Sequence, residues 1–341
     1  MLTRVKTVDI LRGIAVLWMV WFQTWDFFSR DFVLYNLDKR DWNRLGFDFF
    51  NWLPIFMTVS GISLFLSFRR KYEGGYSKFR IWIHGLRRYG GYIFLGLLIC
   101  LWVADITLFL EFGEVVGAIG LYALISLTLL LFFHKHTFWL MVGIWIFSLA
   151  LREYVSNYCV GMIISPFFYG FTIWLMLPYF AAGIFLADKI LTRKFKVISS
   201  FCFLTLISAL FSIFLFSPKI SYFEGTTSFV LLSLSTVSFI LCLIMKYSEL
   251  KIFKLFEFFG KHALFFYVYH VAVLYKLVVV FNISKSLDFL TSIIVTAISL
   301  CIGSVIIQFY GELWKLTKSK FKTLIKGVFK FQHVLTIKGC G

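Results

Sequence analysis

The sequence predicts an all-α, polytopic transmembrane helix bundle of about ten spans, with the N- and C-termini in the cytoplasm. Three observations support this prediction. Of 341 residues, 60% are hydrophobic and 15% are charged, whereas soluble domains average about 45–50% apolar and about 25% charged residues. The apolar residues form runs that approach the length of about 20 residues that a helix needs to cross a bilayer. The basic residues gather in alternate segments between those runs.

Ten apolar segments are candidates for spanning helices. The fifth is short and follows closely on the fourth, and the stretch between the fifth and sixth segments is not an obvious span. In chain order the ten segments are 8–28, 47–68, 89–105, 115–133, 137–152, 169–187, 197–216, 227–245, 262–280 and 288–311. We therefore expect one membrane domain over residues 1–311, followed by a basic cytoplasmic tail over residues 312–341.

The charge of alternate loops sets the predicted orientation, because cytoplasmic loops carry an excess of Lys and Arg. With the N-terminus inside, the cytoplasmic segments hold 25 of the 34 basic residues, and the outer side holds eight. This asymmetry favours an even number of spans. It also explains the net charge of +17 through orientation and attraction to anionic lipid head groups. Membrane lipids are thus predicted partners, and nucleic acid is not.

Several common kinds of site are not indicated. The six cysteines contain no CxxC pair and lie mostly in apolar runs, where a thiol behaves as a small hydrophobe. We therefore expect no structural disulfide and no metal site. The sequence lacks HExxH, GxSxG, Walker and GxGxxG patterns, and a channel is disfavoured because no repeated charged ring or filter motif is present.

The first helix carries a polar stripe that a simple membrane anchor would avoid. At 100° per residue, Asp9, Arg12, Gln23 and Asp26 fall within roughly a 100° arc. Arg12 and Gln23 lie nearly three turns apart, about 16 Å along the axis. Ionisable groups inside a membrane are costly and usually functional, so the stripe predicts one wall of a polar cavity. A local i,i+3 ion pair is the alternative reading for Asp9 and Arg12 alone.

The second helix adds two candidates near its outer end. Asp48 and Asn51 lie at the predicted depth of Gln23, which groups them with the polar stripe. Further along, Pro54 is expected to kink the helix, and the small residues of 60–63 favour close packing against another helix. In the ninth helix, His270 lies near mid-depth and is either a site residue or a hydrogen-bonded bridge between helices.

Five segments, in order along the chain, resemble a known superfamily. They are TVDILRGIAVLWMV (7–20), PIFMTVSGISLFLS (54–67), VVGAIGL (115–121), LPYFAAGIFLA (177–187) and FFGKHALFFYVYH (258–270). Together they resemble the heparan-α-glucosaminide N-acetyltransferase-like proteins and, more distantly, the acyltransferase-3 membrane O-acyltransferases. The resemblance implies about ten core helices. It also implies transfer of an acyl group, typically from cytoplasmic acetyl-CoA, to a sugar or glycan on the far side.

Two residues of this chain match the functional residues of the superfamily, and a third position differs. Arg12 matches the family arginine, and His270 matches a late family histidine. Many relatives have a histidine eleven residues after the arginine, where it suits the role of general base, but this chain has Gln23. Glutamine takes up no proton at neutral pH, so Gln23 can only donate a hydrogen bond or orient another group. The predicted proton acceptor is then Asp26, Asp48 or His270.

The sequence thus predicts a multi-pass integral protein of the cell membrane, with a transmembrane acyltransferase-like domain over 1–311. The predicted reaction moves an acyl group, in the simplest case acetyl, from acyl-CoA (acetyl-CoA) as co-substrate to a glycan or lipid-linked sugar, as in polysaccharide modification. A non-catalytic relative, such as a transporter, a flippase-like protein or a membrane partner protein, is the alternative, and a homo-oligomer is left open. The predicted catalytic residues are Asp26, His270 and Asp48, and the predicted substrate-binding residues are Arg12, Gln23, Asn51 and Asp9.

Overall fold

The structure, a computed structural model, is helical at almost every residue that it describes. It describes residues 5–28, 52–103, 115–158, 173–216, 227–275, 288 and 290–311. These ranges hold 11 helices and no strand, which confirms the all-α prediction. The basic tail predicted over 312–341 lies outside the described residues.

All ten predicted segments overlap helices. Four of the helices (α4, α7, α8 and α11) are long and apolar enough to cross a membrane, while the number of spans and the side of each terminus stay predictions. The helices are α1 Lys6–Phe28, α2 Trp52–Glu73, α3 Lys78–Val103, α4 Val115–Phe133, α5 Thr137–Tyr158, α6 Ile173–Leu191, α7 Phe195–Phe216, α8 Thr227–Tyr247, α9 Ile252–Lys261, α10 Ala263–Tyr269, which continues as a π-helical turn over His270–Tyr275, and α11 Leu290–Gly311.

Two segments predicted as loops are helical, which corrects the sequence reading. Helix α3 begins at Lys78, so only residues 74–77 separate it from α2, although 69–88 was expected to be a loop. Helix α9 lies in the basic stretch expected between the eighth and ninth spans. Hydropathy marks the part of a helix that suits lipid, but Lys and Arg are good helix formers. Both helices therefore continue into polar sequence.

Glycines mark the closest helix crossings in the bundle. A Cβ added at Gly61 or at Gly183 would overlap backbone atoms of the other helix where α2 crosses α6, and the same holds for Gly13 and Gly260 where α1 crosses α9. Small residues allow helix backbones to approach this closely. The crossing at Gly61 agrees with the close packing predicted for residues 60–63.

Helix α1 runs parallel to α9 and α10, which follow each other with the non-helical residue His262 between them. Gly13 meets Gly260 at one end, and Gln23 contacts His270 at the other. In both pairs the two residues are 247 positions apart in the sequence. The two helical segments therefore have the same register at both contacts. With this offset, residues 16–22 of α1 correspond to residues 263–269 of α10.

The outer helices present large apolar side chains to their surroundings. On α7, Phe203, Phe211 and Phe214 are 61–85% exposed, and on α11, Val305 and Phe309 are similarly exposed. Continuous exposed apolar surface is rare on a soluble monomer and suits contact with lipid. This surface and the four long apolar helices together suggest an integral membrane protein.

The α1–α9 crossing predicts a strong effect of one methyl group. In Gly13→Ala the new Cβ would overlap the carbonyl oxygen of Phe256, so the backbones must separate, and overpacking of this kind typically costs about 1–3 kcal/mol. We expect a lower thermal unfolding midpoint in detergent. The control is Gly91→Ala in α3, where nothing lies within 4 Å of the new Cβ. An equal midpoint for the two variants would contradict the crossing.

Candidate functional site

Arg12 joins three helices at one end of α1. Its Nη1 donates to Asp9 Oδ1 at 3.0 Å and to the Gly260 carbonyl oxygen at 3.4 Å, and its Nη2 donates to Ser63 Oγ at 2.8 Å. The Asp9 side chain is 4% exposed and the Arg12 side chain 24%. The ion pair predicted as the local alternative is therefore present. It is also part of a wider cluster that includes α2 and α9.

The Arg12 cluster faces a cavity of about 450 Å³, which lies within the usual size range of small-molecule sites. We call it the basic cavity. Four cationic side chains line it, and Asp9 is the acidic residue in its wall. Three serines and two tyrosines add hydroxyl groups. These polar lining residues are Arg12, Arg70, Arg88, Lys261, Asp9, Ser60, Ser63, Ser67, Tyr89 and Tyr92.

The charge around the basic cavity is strongly positive. Burial, together with repulsion from Arg88, lowers the pKa of Lys71, which lies beside Arg70. Arg88 also stands over the Tyr89 ring, 5.6 Å from its centroid. The Tyr89 and Tyr92 ring centroids are 6.0 Å apart. The arrangement suits an anion, because guanidinium groups form charge-assisted hydrogen bonds to phosphate and carboxylate oxygens.

Gln23 and His270 form a second polar cluster, nearly three turns of α1 away from Arg12. The His270 side chain is fully buried. Its Nδ1 lies 3.0 Å from the Phe266 carbonyl oxygen, and its Nε2 contacts the side-chain oxygen Oε1 of Gln23. His270 begins the π-helical turn at the end of α10, and single π-helical turns of this kind occur often at functional sites.

The contact with the Phe266 carbonyl oxygen fixes the position of the proton in a neutral His270 ring. A carbonyl oxygen only accepts, so Nδ1 carries the proton and donates it to Phe266. A second proton on Nε2 would place a full charge in a buried site, which is costly. The neutral ring therefore leaves a lone pair on Nε2. In the structure the Gln23 amide turns Oε1 toward Nε2, and two acceptors form no hydrogen bond. A neutral ring protonated on Nδ1 therefore requires the amide to be turned by 180°, which exchanges its oxygen and nitrogen and lets the N–H group donate to Nε2.

The structure brings four of the seven predicted site residues into two pairs. Asp9 lies with Arg12, and Gln23 lies with His270. The backbone of Asp26 belongs to α1, and its side chain is not among those described. The other two, Asp48 and Asn51, lie outside the described residues. The roles assigned to all seven residues stay predictions.

Sequence reasoning missed two partners of Arg12. Ser63 was attributed to close packing alone, and Gly260 was noted only within a family-like segment. A serine six residues before a basic cluster carries no local signal of its own, and the Gly260 carbonyl oxygen is a backbone group. Arg70 and Arg88 were easier to predict, because they belong to the basic stretch between the second and third segments.

Among the described residues, no group of three His, Cys, Asp or Glu side chains is placed to hold a metal ion.

A helical bundle with apolar outer faces and buried polar clusters inside defines a membrane protein with an internal site. The chain belongs to the acyltransferase-3 family: the family's model, described as an acyltransferase domain, matches residues 5–309. Membership suggests a membrane acyltransferase. The match is to the family as a whole, and the narrower resemblance to the heparan-α-glucosaminide N-acetyltransferase-like proteins stays a prediction. A search of curated proteins finds none that matches the chain.

Proposed function

We propose that the protein transfers an acyl group from acyl-CoA, with acetyl-CoA the simplest donor, to a hydroxyl of a sugar or glycan. The observation that carries the proposal is the pairing of Gln23 with His270. An imidazole lies beside residue 23, where many relatives have their histidine, and this supports His270 as the proton acceptor although residue 23 is glutamine. Family membership supports the acyl chemistry.

The donor site in this proposal is the basic cavity. CoA carries phosphate groups, and Arg12, Arg70 and Arg88 in the cavity wall are side chains that bind phosphate with paired hydrogen bonds. The tyrosine rings provide apolar faces on which a base can stack. The cavity lies at the end of α1 predicted to be cytoplasmic, where acyl-CoA is available.

The acceptor hydroxyl is activated at Nε2 of His270. The hydroxyl replaces the Gln23 amide at the Nε2 lone pair and gives up its proton there. The hydroxyl oxygen then bonds to the thioester carbonyl carbon, the carbon–sulfur bond breaks, and the proton passes from Nε2 to the leaving CoA thiolate. The products are an acylated sugar and free CoA, and atoms and charge balance. General base catalysis of this kind contributes about 10²- to 10⁴-fold.

The tautomer assigned to His270 predicts a specific effect of Gln23→Glu. The two side chains have nearly the same shape, but a carboxylate only accepts hydrogen bonds. It would hold a proton on Nε2 and remove the lone pair that the reaction needs. We expect kcat for acyl transfer to fall by about 10²-fold or more, with acyl-CoA binding unchanged. Gln23→Glu transfer at the wild-type rate would contradict the assigned tautomer.

A non-catalytic role, as a transporter, a flippase-like protein or a membrane partner, is the second candidate, because Gln23 itself cannot take a proton. The Gln23→His variant distinguishes the catalytic role from the non-catalytic role. If the protein is an enzyme, wild type already transfers radiolabelled acetyl groups, and Gln23→His changes the rate without creating an activity. An inactive wild type beside an active Gln23→His variant would instead indicate that the family chemistry has been lost here.

A further inference from the structure

The basic cavity and the Gln23–His270 pair do not share a described opening. The cavity reaches Arg12 on α1, Ser60 on α2 and Leu264 on α10, and neither Gln23 nor His270 lines it. Because the proposed reaction brings the thioester to His270, the residues between the two clusters decide what can pass. The inference below rests on the proposed function.

Counting residues along the helices from these contacts places one large side chain of each of three helices between the two clusters. Met19 is seven residues beyond Arg12 and four before Gln23, so all three share a face of α1. Phe266 is its counterpart on α10, since 266 and 19 are 247 apart like the two contacting pairs. Phe56 lies seven residues, about two turns, before Ser63, the α2 partner of Arg12, and so shares its face of α2. We call Met19, Phe56 and Phe266 the apolar layer.

All three side chains of the apolar layer are buried. Met19 and Phe266 are completely buried, and Phe56 is 8% exposed. The Phe266 ring is fixed by its neighbours, with its centroid 4.9 Å from that of Phe259, and a Cβ at Gly303 would lie 2.9 Å from its edge. Methionine, by contrast, is unbranched with three rotatable bonds. Met19 is therefore the member of the layer that can move aside most readily.

We propose that Met19 separates the donor cavity from His270 and limits the length of the acyl group that reaches it. A short acyl group passes when Met19 changes rotamer, whereas each further methylene must find space beside the two phenylalanine rings. Shortening Met19 should open the way from the cavity to the imidazole and relax the preference for short acyl chains.

Chemical labelling tests the barrier without relying on acyl transfer. Diethylpyrocarbonate modifies accessible neutral imidazoles, and mass spectrometry measures modification of His270 relative to the exposed His84. We expect wild-type His270 to be protected and Met19→Ala to lose that protection. The matched control is Met141→Ala in α5, because Met141 is equally buried but lies on another helix. Met19→Val, which removes less volume, replaces Met19→Ala if the latter does not fold.

The second readout is acyl selectivity. We expect Met19→Ala to raise the ratio of kcat/KM for butyryl-CoA over acetyl-CoA by about tenfold or more, and Met141→Ala to leave it unchanged. Labelling of wild-type His270 as fast as His84, or equal labelling and equal selectivity in the two variants, would overturn the role of Met19. If no protein transfers acyl groups while labelling behaves as expected, the proposed function fails and the barrier at Met19 stands.

Discussion

Replacing His270 by glutamine is expected to abolish acyl transfer while acyl-CoA binding stays at the wild-type level. The substituted amide can still donate to the Phe266 carbonyl oxygen and fill most of the space, so the fold is retained. It cannot take a proton from a hydroxyl, and loss of a general base lowers rates by about 10²- to 10⁴-fold. Transfer of radiolabelled acetyl groups and calorimetric binding of acetyl-CoA measure the two effects separately.

The control for this prediction is His84→Gln. His84 is exposed and does not line the basic cavity, so its replacement should leave both transfer and binding unchanged. If His270→Gln keeps wild-type transfer, His270 is not the proton acceptor. The remaining predicted carboxylates, Asp26 and Asp48, would then be tested in its place.

Removing the charge of Arg12 is expected to weaken acyl-CoA binding by about 10- to 100-fold, the range that follows from losing one charge-assisted hydrogen bond. Arg12→Ala alone would leave the buried Asp9 carboxylate without its ion-pair partner, and such a loss typically costs about 3–5 kcal/mol of stability. The double variant Asp9→Asn, Arg12→Gln removes both charges together. It therefore tests binding in a protein whose fold is less disturbed.

The control for Arg12 is Arg69→Gln. Arg69 is also an arginine at this end of the bundle, but it pairs with Glu73 and Asp188 and does not line the basic cavity. Its pKa is raised chiefly by the hydrogen bond to Glu73, so its charge is already engaged. Wild-type affinity for acetyl-CoA in the folded double variant would contradict the donor site. An equal loss of affinity for acetyl-CoA in the double variant and in Arg69→Gln would indicate a general effect of charge.

The helices were predictable from the sequence because apolar length determines where a chain can cross lipid. The helix ends were less so. Lys78 opens α3 and Lys261 closes α9, since helix formation continues in polar sequence that hydropathy assigns to loops. The crossings at Gly13 and Gly260 depend on two backbones 247 residues apart, and no local pattern in either segment specifies its partner.

Part of the candidate site was also predictable from the sequence. Periodicity placed Arg12 and Gln23 on one face of α1, and the family resemblance singled out His270. Neither could show that Gln23 contacts His270, because that contact depends on the register between α1 and α10. The apolar layer at Met19 was also hidden, since a buried methionine has the same sequence signal as any other core residue.

Acyl transfer by the wild-type protein itself is the most direct test of the proposed function. Purified protein in lipid nanodiscs is incubated with radiolabelled acetyl-CoA and a glycan-containing membrane fraction from cells that produce it, beside His270→Gln. We expect label in the glycan fraction with wild type and background label with His270→Gln. Equal labelling by the two proteins, or binding of acetyl-CoA by wild type without any transfer, would contradict it.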